Sequence, residues 1–276
     1  MRSVLKKGLM IVLALAGLGY LLIAGWLWVY QDYYMFRGRR ADLTQTPEAK
    51  QWAYEDVWLD VPGGKTHGWW IPTDNARGAV LFSHGSGKNI SYYLEDAGYY
   101  RDLGFSVLLY DYGGYGKSTG EPSEARCYAD GRAMWKHLTE VRKIPPHRII
   151  LGGNSMGGGV TIDLAAEVTP GIVVVESTFT SIPDVLSDMY PWLPARLISH
   201  IYFRNIDKVP RIQCPIMVVH STGDAMVPFA QALKLFSAIT TPKKFLQIHG
   251  AHRQGKFDSK DLYAPALREF VNEYLK

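Results

Sequence analysis

The sequence predicts an α/β fold, a mostly parallel central sheet with helices on both faces, preceded by one apolar N-terminal helix. Three observations predict it. Short apolar runs bounded by turn residues recur along the chain and alternate with segments of helical periodicity. A glycine-rich turn, Gly152-Gly153-Asn154-Ser155-Met156-Gly157, joins one such run to a helix. Residues 9–30 carry no charged side chain.

At a rise of about 1.5 Å per residue the segment 9–30 is roughly 33 Å long, enough to cross the hydrocarbon core of a bilayer. Tyr20, Trp26, Trp28 and Tyr30 gather towards its C-terminal half, in the manner of an interfacial belt. A cleaved signal peptide is the competing reading, with Ala14-Leu15-Ala16 as the cleavage site. It leaves only 9–13 as its apolar region, while strong hydrophobicity continues past the cut, so an uncleaved anchor over 1–30 is expected. Basic residues stand on both flanks, and the short basic tail before the span favours a cytoplasmic N-terminus.

The net charge of +4 resides at this end. Arg2, Lys6, Lys7, Arg37, Arg39 and Arg40 against Asp32 give the first forty residues +5 and leave the remainder at −1. A near-neutral body lacks the positive field that nucleic-acid binding requires. Cys127 and Cys214 match no zinc or redox spacing and read as buried thiols.

Residues 31–53 read as a connector, with Thr46-Pro47-Glu48 as the start of a short helix. The body, 54–276, begins with paired strands over 57–61 and 68–71 around Pro62-Gly63-Gly64. Buried strands follow at 79–83 and 105–110, both nearly continuous apolar runs. A helix is expected over 123–141 with Ser123 as its cap, then a strand at 148–151, a helix at 156–166 and a strand at 172–175. The alternation continues with 216–220, 228–239, 245–248 and 260–274. The interval of about 178–210 is too long for a simple connection and reads as an inserted cap. Of its apolar residues, 189–194, Ile198, Ile201, Tyr202 and Phe203, at least half are expected to pack in the core.

Gly153, Ser155 and Gly157 form Gly-x-Ser-x-Gly between a strand and a helix. In that context the serine sits on a sharp turn, and the neighbouring glycines let backbones cross closely. A serine hydroxyl is a weak nucleophile at neutral pH, so it needs a base, and the base an orienting acid. In the chain order Ser, Asp or Glu, His, the acid is Asp224 in His220-Ser221-Thr222-Gly223-Asp224, with Glu176 as the runner-up. The base is His252, which lies beyond Gly250 on a loop free to reach the strand ends. His249 continues its strand and is the weaker candidate. His84 precedes the serine and reads as structural. The oxyanion donors are the backbone N–H of Met156 and that of Ser86 in His84-Gly85-Ser86-Gly87.

With these residues in hand the chain resembles the N-terminally membrane-anchored α/β-hydrolases, a group of serine hydrolases of bacteria and eukaryotes. The likeness runs from about Thr46 to the C-terminus. It rests on Tyr54-Glu55-Asp56-Val57, Gly68-Trp69-Trp70-Ile71-Pro72, His84-Gly85, Asp111-Tyr112-Gly113-Gly114-Tyr115-Gly116, Gly153 to Gly157, Gly223-Asp224 and Gly250-Ala251-His252. The resemblance implies an α/β-hydrolase fold. Two departures stand out: Ser86 where the family often has asparagine, and Gly113 where it has arginine, so any salt bridge of that arginine is absent.

The activity expected is cleavage of a small-molecule or lipid-like ester or thioester through an acyl-Ser155 intermediate, without metal or organic cofactor. A peptidase or amidase would use the same residues, and a non-catalytic binding protein could share the fold. Dehalogenation would need an aspartate at the nucleophile position.

Overall fold

In the computed structural model, which describes residues 2–39 and 41–275, eight strands form one sheet. They are β1 (Glu55–Val61), β2 (Gly64–Ile71), β3 (Gly78–Ser83), β4 (Phe105–Tyr110), β5 (Ile149–Asn154), β6 (Ile172–Glu176), β7 (Ile216–Ser221) and β8 (Lys243–Ile248). Their order across the sheet is β1-β2-β4-β3-β5-β6-β7-β8. The pairs β1/β2 and β2/β4 are antiparallel and every other pair is parallel. Arg40, one of the basic flank, lies outside the described residues, as do the chain ends Met1 and Lys276.

The helices are α1 (Arg2–Val29), α2 (Gln31–Met35), α3 (Leu94–Arg101), α4 (Glu124–Lys136), α5 (Met156–Ala165), α6 (Ile182–Met189), α7 (Ala195–Ile198), α8 (Asn205–Lys208), α9 (Phe229–Ser237), α10 (Gly255–Asp258) and α11 (Lys260–Tyr274). The two-residue period of the strands splits the core. Ala79, Leu81, Leu151, Val173 and Val218 face one side, with α4, α5 and α9. Val80, Phe82, Ile150, Val174 and Met217 face the other, with α3 and α11. This is the expected α/β architecture, buried on both faces of its parallel strands.

Several boundaries differ from expectation for local reasons. The β1/β2 ladder pairs Val61 with Gly64, so β2 starts four residues early and the turn shrinks to Pro62-Gly63. Ser123 Oγ accepts the Arg126 N–H as a cap, but α4 ends at Lys136 and the chain continues to Val141 as a π-helical turn. Thr46 makes no side-chain cap, and the short helix there is one 3₁₀ turn, Pro47–Lys50. Residues 178–210 contain three short helices, α6, α7 and α8. Of the ten apolar residues named in this segment, Leu193, Ile201 and Phe203 are buried and Pro194 and Ile198 half-buried, whereas Met189, Tyr190, Pro191, Trp192 and Tyr202 are exposed, so fewer than the expected half are buried.

Residues 31–53 are held against the body at several points. Phe36 is fully buried in the core, Asn89 donates to the carbonyls of Ala41 and Asp42, and Gln45 donates to that of Ser91. Cys127 and Cys214 are both buried and free, and burial pushes the Cys214 thiol up to about 12.

Candidate active site

Ser155 stands between β5 and α5 with φ 55° and ψ −120°, a left-handed conformation that costs a non-glycine residue about 1–3 kcal/mol. Three bonds hold it there. The Ser155 N–H donates to the Glu176 carbonyl at the end of β6 (2.8 Å), and the Ser155 carbonyl accepts from the Gly158 N–H (2.9 Å) and Thr178 Oγ1 (3.0 Å). Gly157 has no alternative, since a Cβ there would fall on the carbonyls of Ser83 and His84. The elbow therefore presses against the end of β3, and the His84-Gly85 loop passes beside Ser155.

The structure brings Ser155, Asp224 and His252 together. His252 Nε2 is 2.9 Å from Ser155 Oγ, and its Nδ1 is 2.6 Å from Asp224 Oδ2. A carboxylate only accepts, so Nδ1 carries the proton and Nε2 presents its lone pair to the serine hydroxyl. Asp224 Oδ1 accepts the N–H groups of Met226 (2.9 Å) and Val227 (2.8 Å), and the side chain is wholly buried. Burial alone would raise this carboxyl. The hydrogen bond and charge of His252, with the two backbone donors, outweigh it and hold the group below the usual carboxylate range. The His252 carbonyl accepts from Ser177 Oγ at 2.9 Å, which fixes the loop.

Around this trio lies a cavity of about 620 Å³, within the usual size of a small-molecule site, which Ser155, His252 and Ser86 all line. Its further walls are mostly apolar, among them Phe179, Val185, Leu186, Leu193, Ile201 and Met226. The Ser86 carbonyl is engaged twice, by the Gly38 N–H (2.8 Å) and by Tyr115 Oη (2.9 Å), which fixes the Ser86–Gly87 peptide, the unit after the one that carries the Ser86 N–H. Met156 is the first residue of α5, where a helix leaves its N–H groups without intrahelical partners.

A family model described as serine aminopeptidase, S33, matches residues 74–208. Over 225 residues the chain is 33% identical to an uncharacterized protein of Mycobacterium tuberculosis, covering 80% of each. Over 208 residues it is 32% identical to α/β-hydrolase domain-containing protein 17B of Homo sapiens, covering 73% of this chain and 68% of that one. The chain belongs to the α/β-hydrolase-domain family. Among solved structures it is similar to an esterase of Pyrococcus furiosus, with TM-score 0.72 and 20% identity over 87% of this chain and all of that one. An α/β-hydrolase of Vibrio vulnificus gives TM-score 0.68 and 20% identity over 88% and 91%. These likenesses are to the fold.

The weaker candidates of this α/β-hydrolase lie elsewhere. Glu176 is bound at one oxygen by Lys256 and at the other by Tyr263 Oη (2.5 Å), deep in the core. His249 is exposed, and Ser259 clasps its backbone. His84 is buried among Tyr93, Tyr112 and Tyr115, with Nδ1 bonded to the Gly85 carbonyl. Two features were invisible to sequence reasoning. Arg126 packs directly over Gly113, where a side chain would collide with it, and pairs with Asp130 at 2.7 Å. Asp130 in turn accepts the Gly113 N–H at 2.8 Å. His220, behind Asp224, donates to the Val227 carbonyl (2.9 Å), and burial lowers its pKa. Among the described residues no group of three or more His, Cys, Asp or Glu is arranged to hold a metal ion.

Proposed function

We propose that this α/β-hydrolase cleaves carboxylic esters or thioesters with Ser155 as nucleophile, His252 as base and Asp224 as orienting acid. The observation that carries the reading is the continuous relay from Ser155 Oγ through both nitrogens of His252 to a buried, ionised Asp224. His252 Nε2 takes the hydroxyl proton as Oγ attacks the substrate carbonyl carbon. The oxyanion of the tetrahedral adduct is bound by the N–H groups of Met156 and Ser86. Collapse expels the alcohol or thiol, which takes the proton from His252, and leaves acyl-Ser155. Water, deprotonated by the same nitrogen, then releases the acid and restores the serine. No step calls on a metal or organic cofactor.

We further propose the following organisation: residues 1–30 as a single-pass membrane anchor, 31–53 as a connector, and 54–276 as the catalytic unit with its cap at about 178–210. Support for the anchor is that α1 is the one helix among the described residues long and apolar enough to span a bilayer, with mean hydropathy 2.2 over its best window. The test of the chemistry is labelling by a fluorophosphonate. Wild-type chain is expected to label at Ser155, with loss in Ser155→Ala and strong reduction in His252→Ala. Absence of labelling in folded wild type would leave a non-catalytic binding protein. The family description as a serine aminopeptidase favours amide cleavage as the second reading. Turnover of aminoacyl amides in preference to acyl esters would establish it.

A further inference from the structure

The apolar anchor does more than hold the body near a membrane. Its last two turns and the helix after it supply one wall of the cavity that contains Ser155: Ile23, Trp26 and Leu27 from α1, then Gln31, Tyr34 and Met35. At 100° per residue, Tyr20, Ile23, Ala24, Leu27, Gln31 and Tyr34 fall on one face of the continuing helical path. That face is fastened to the cap at three points. Tyr20 Oη donates to the Trp192 carbonyl (3.0 Å). Gln31 Nε2 donates to the Ile198 carbonyl (2.6 Å), and Gln31 Oε1 accepts the His200 N–H (3.0 Å). Ala24 is the buried residue of α1, while the opposite side of the helix is exposed.

The rim of the cavity locates its mouth. Ile23, Trp26, Tyr190 and Trp192 line the cavity and yet remain 50%, 49%, 41% and 57% exposed, so the opening lies between the anchor and the 190–192 segment of the cap. In a span that begins at Leu9, Ile23 and Leu27 stand about 21 and 27 Å along the axis, inside a hydrocarbon core of about 30 Å and near its boundary. The proposed span would therefore put the mouth at the depth of acyl chains. An acyl chain drawn out through water would lose roughly fourfold in equilibrium for each methylene exposed. A wall continuous with a lipid-embedded helix removes that loss.

We infer that α1 is part of the substrate site: Ile23, Trp26 and Leu27 form the entry wall of an acyl-binding channel that admits long-chain esters or thioesters sideways from the bilayer. This rests on Ser155 being the nucleophile. The channel runs from lipid, past α1 and the cap, to the serine, with the ester or thioester carbonyl at the protein end and the chain tail against the anchor.

The experiment uses the full chain in phosphatidylcholine vesicles, with hexadecanoyl and butanoyl esters of one chromogenic alcohol and the matching pair of thioesters. Active sites are counted by fluorophosphonate. Leu27→Trp places a ring in the channel and is expected to lower the hexadecanoyl-to-butanoyl ratio of kcat/KM at least tenfold. Leu21→Trp, on the exposed side of the same helix, is expected to leave the ratio within twofold of wild type. An independent readout is a long-chain fluorophosphonate bearing a diazirine at the chain end, which is expected to cross-link from Ser155 to residues 23–35. A wild-type ratio in Leu27→Trp, an equal fall in Leu21→Trp, or cross-links that never reach α1 or α2 would each overturn the anchor wall while Ser155 still labels. Failure of Ser155 to label in folded wild type would overturn the wall and the hydrolase reading together.

Discussion

At the scale of single residues, the site is a set of constraints converging on one hydroxyl. The left-handed backbone of Ser155 is imposed by neighbours, because three hydrogen bonds and the crossing of Gly157 over the Ser83 carbonyl over-determine it. Ser155→Ala keeps the Cβ and removes only the attacking oxygen. Ester hydrolysis is therefore expected to fall by about 10⁴- to 10⁶-fold with little change in melting temperature. His252→Ala should be nearly as damaging and His249→Ala close to wild type, since His249 is exposed and its backbone is satisfied by Ser259. Steady-state kinetics of the purified variants decides the ranking, and the reverse order would move the base to His249. Asp224 adds a pH signature. Its carboxyl is held low in the fold, so the unfolded chain binds its proton more readily than the native one. The stability it contributes is present above the unfolded value of about 3.9 and is lost as pH falls through the still lower folded value. The stability gap between wild type and Asp224→Asn, measured by urea unfolding, should narrow below about pH 4. A constant gap from pH 7 to pH 3 would mean that the His252 and backbone bonds do not favour the ionised form.

At the scale of elements, a buried ion cluster joins the pieces that carry the site. Lys256 on α10 pairs with Asp96 on α3 and Glu176 on β6, and Tyr263 on α11 donates to Glu176. Burial alone would lower the Lys256 pKa, but the two carboxylates raise it, so the lysine stays charged. The Glu176 carbonyl holds the Ser155 N–H, and His252 lies four residues before Lys256, so both partners of the relay are tied to this cluster. Lys256→Met removes the cation paired with buried Glu176 and leaves Asp96 facing Arg253 alone, at 3.6 Å, and is expected to cost about 3–5 kcal/mol in chemical denaturation. A loss below about 1 kcal/mol would show the cluster to be solvated. What sequence could and could not reveal divides along these lines. Strands β3, β4, β5 and β6 were legible because strands buried on both faces read as apolar runs. The juxtaposition of Ser155, Asp224 and His252 was legible although Ser155 and His252 are 97 positions apart, because each sits in a recognisable motif at a strand end and the chain order of serine, acid and histidine links them. The Lys256 cluster was not, since its members are 80 and 160 positions apart: Lys256 and Asp96 each read alone as an ordinary surface charge, and Glu176 as a candidate acid. Arg126 over Gly113 was hidden for a different reason: the two are near in sequence, but the path of the loop between them decides whether the side chain folds back over the glycine. The cap misled, because apolar side chains around a cavity and in a core have the same composition.

At the scale of the whole molecule, α1 and the hydrolase body are one structure. A helix that is apolar on every side gives no sequence sign of which face meets protein, and only the three-dimensional arrangement shows Tyr20, Ala24 and Gln31 turned to the cap. Trp192, 57% exposed, meets Tyr20 of α1 with ring centroids 6.4 Å apart, so the apolar surface of α1 continues onto residues 190–192. The proposed span would act as an effectively irreversible attachment of the full chain. The full chain should remain with membranes through high salt and alkaline carbonate, because salt screens surface charge but does not extract a hydrophobic span. A chain beginning at Gln31 loses the span, and with it Ile23, Trp26 and Leu27 from the cavity wall, while Ser155, Asp224 and His252 remain. It is expected to leave the membrane and to hydrolyse a water-soluble butanoyl ester. Its activity on a hexadecanoyl ester in vesicles should fall much further than its activity on the short one, at equal active-site titre. Release of the full chain by salt would remove the anchor. An unchanged ratio of long- to short-chain activity in the shortened chain would mean that the 23–27 wall plays no part in selecting acyl chains, with the chemistry at Ser155 unaffected.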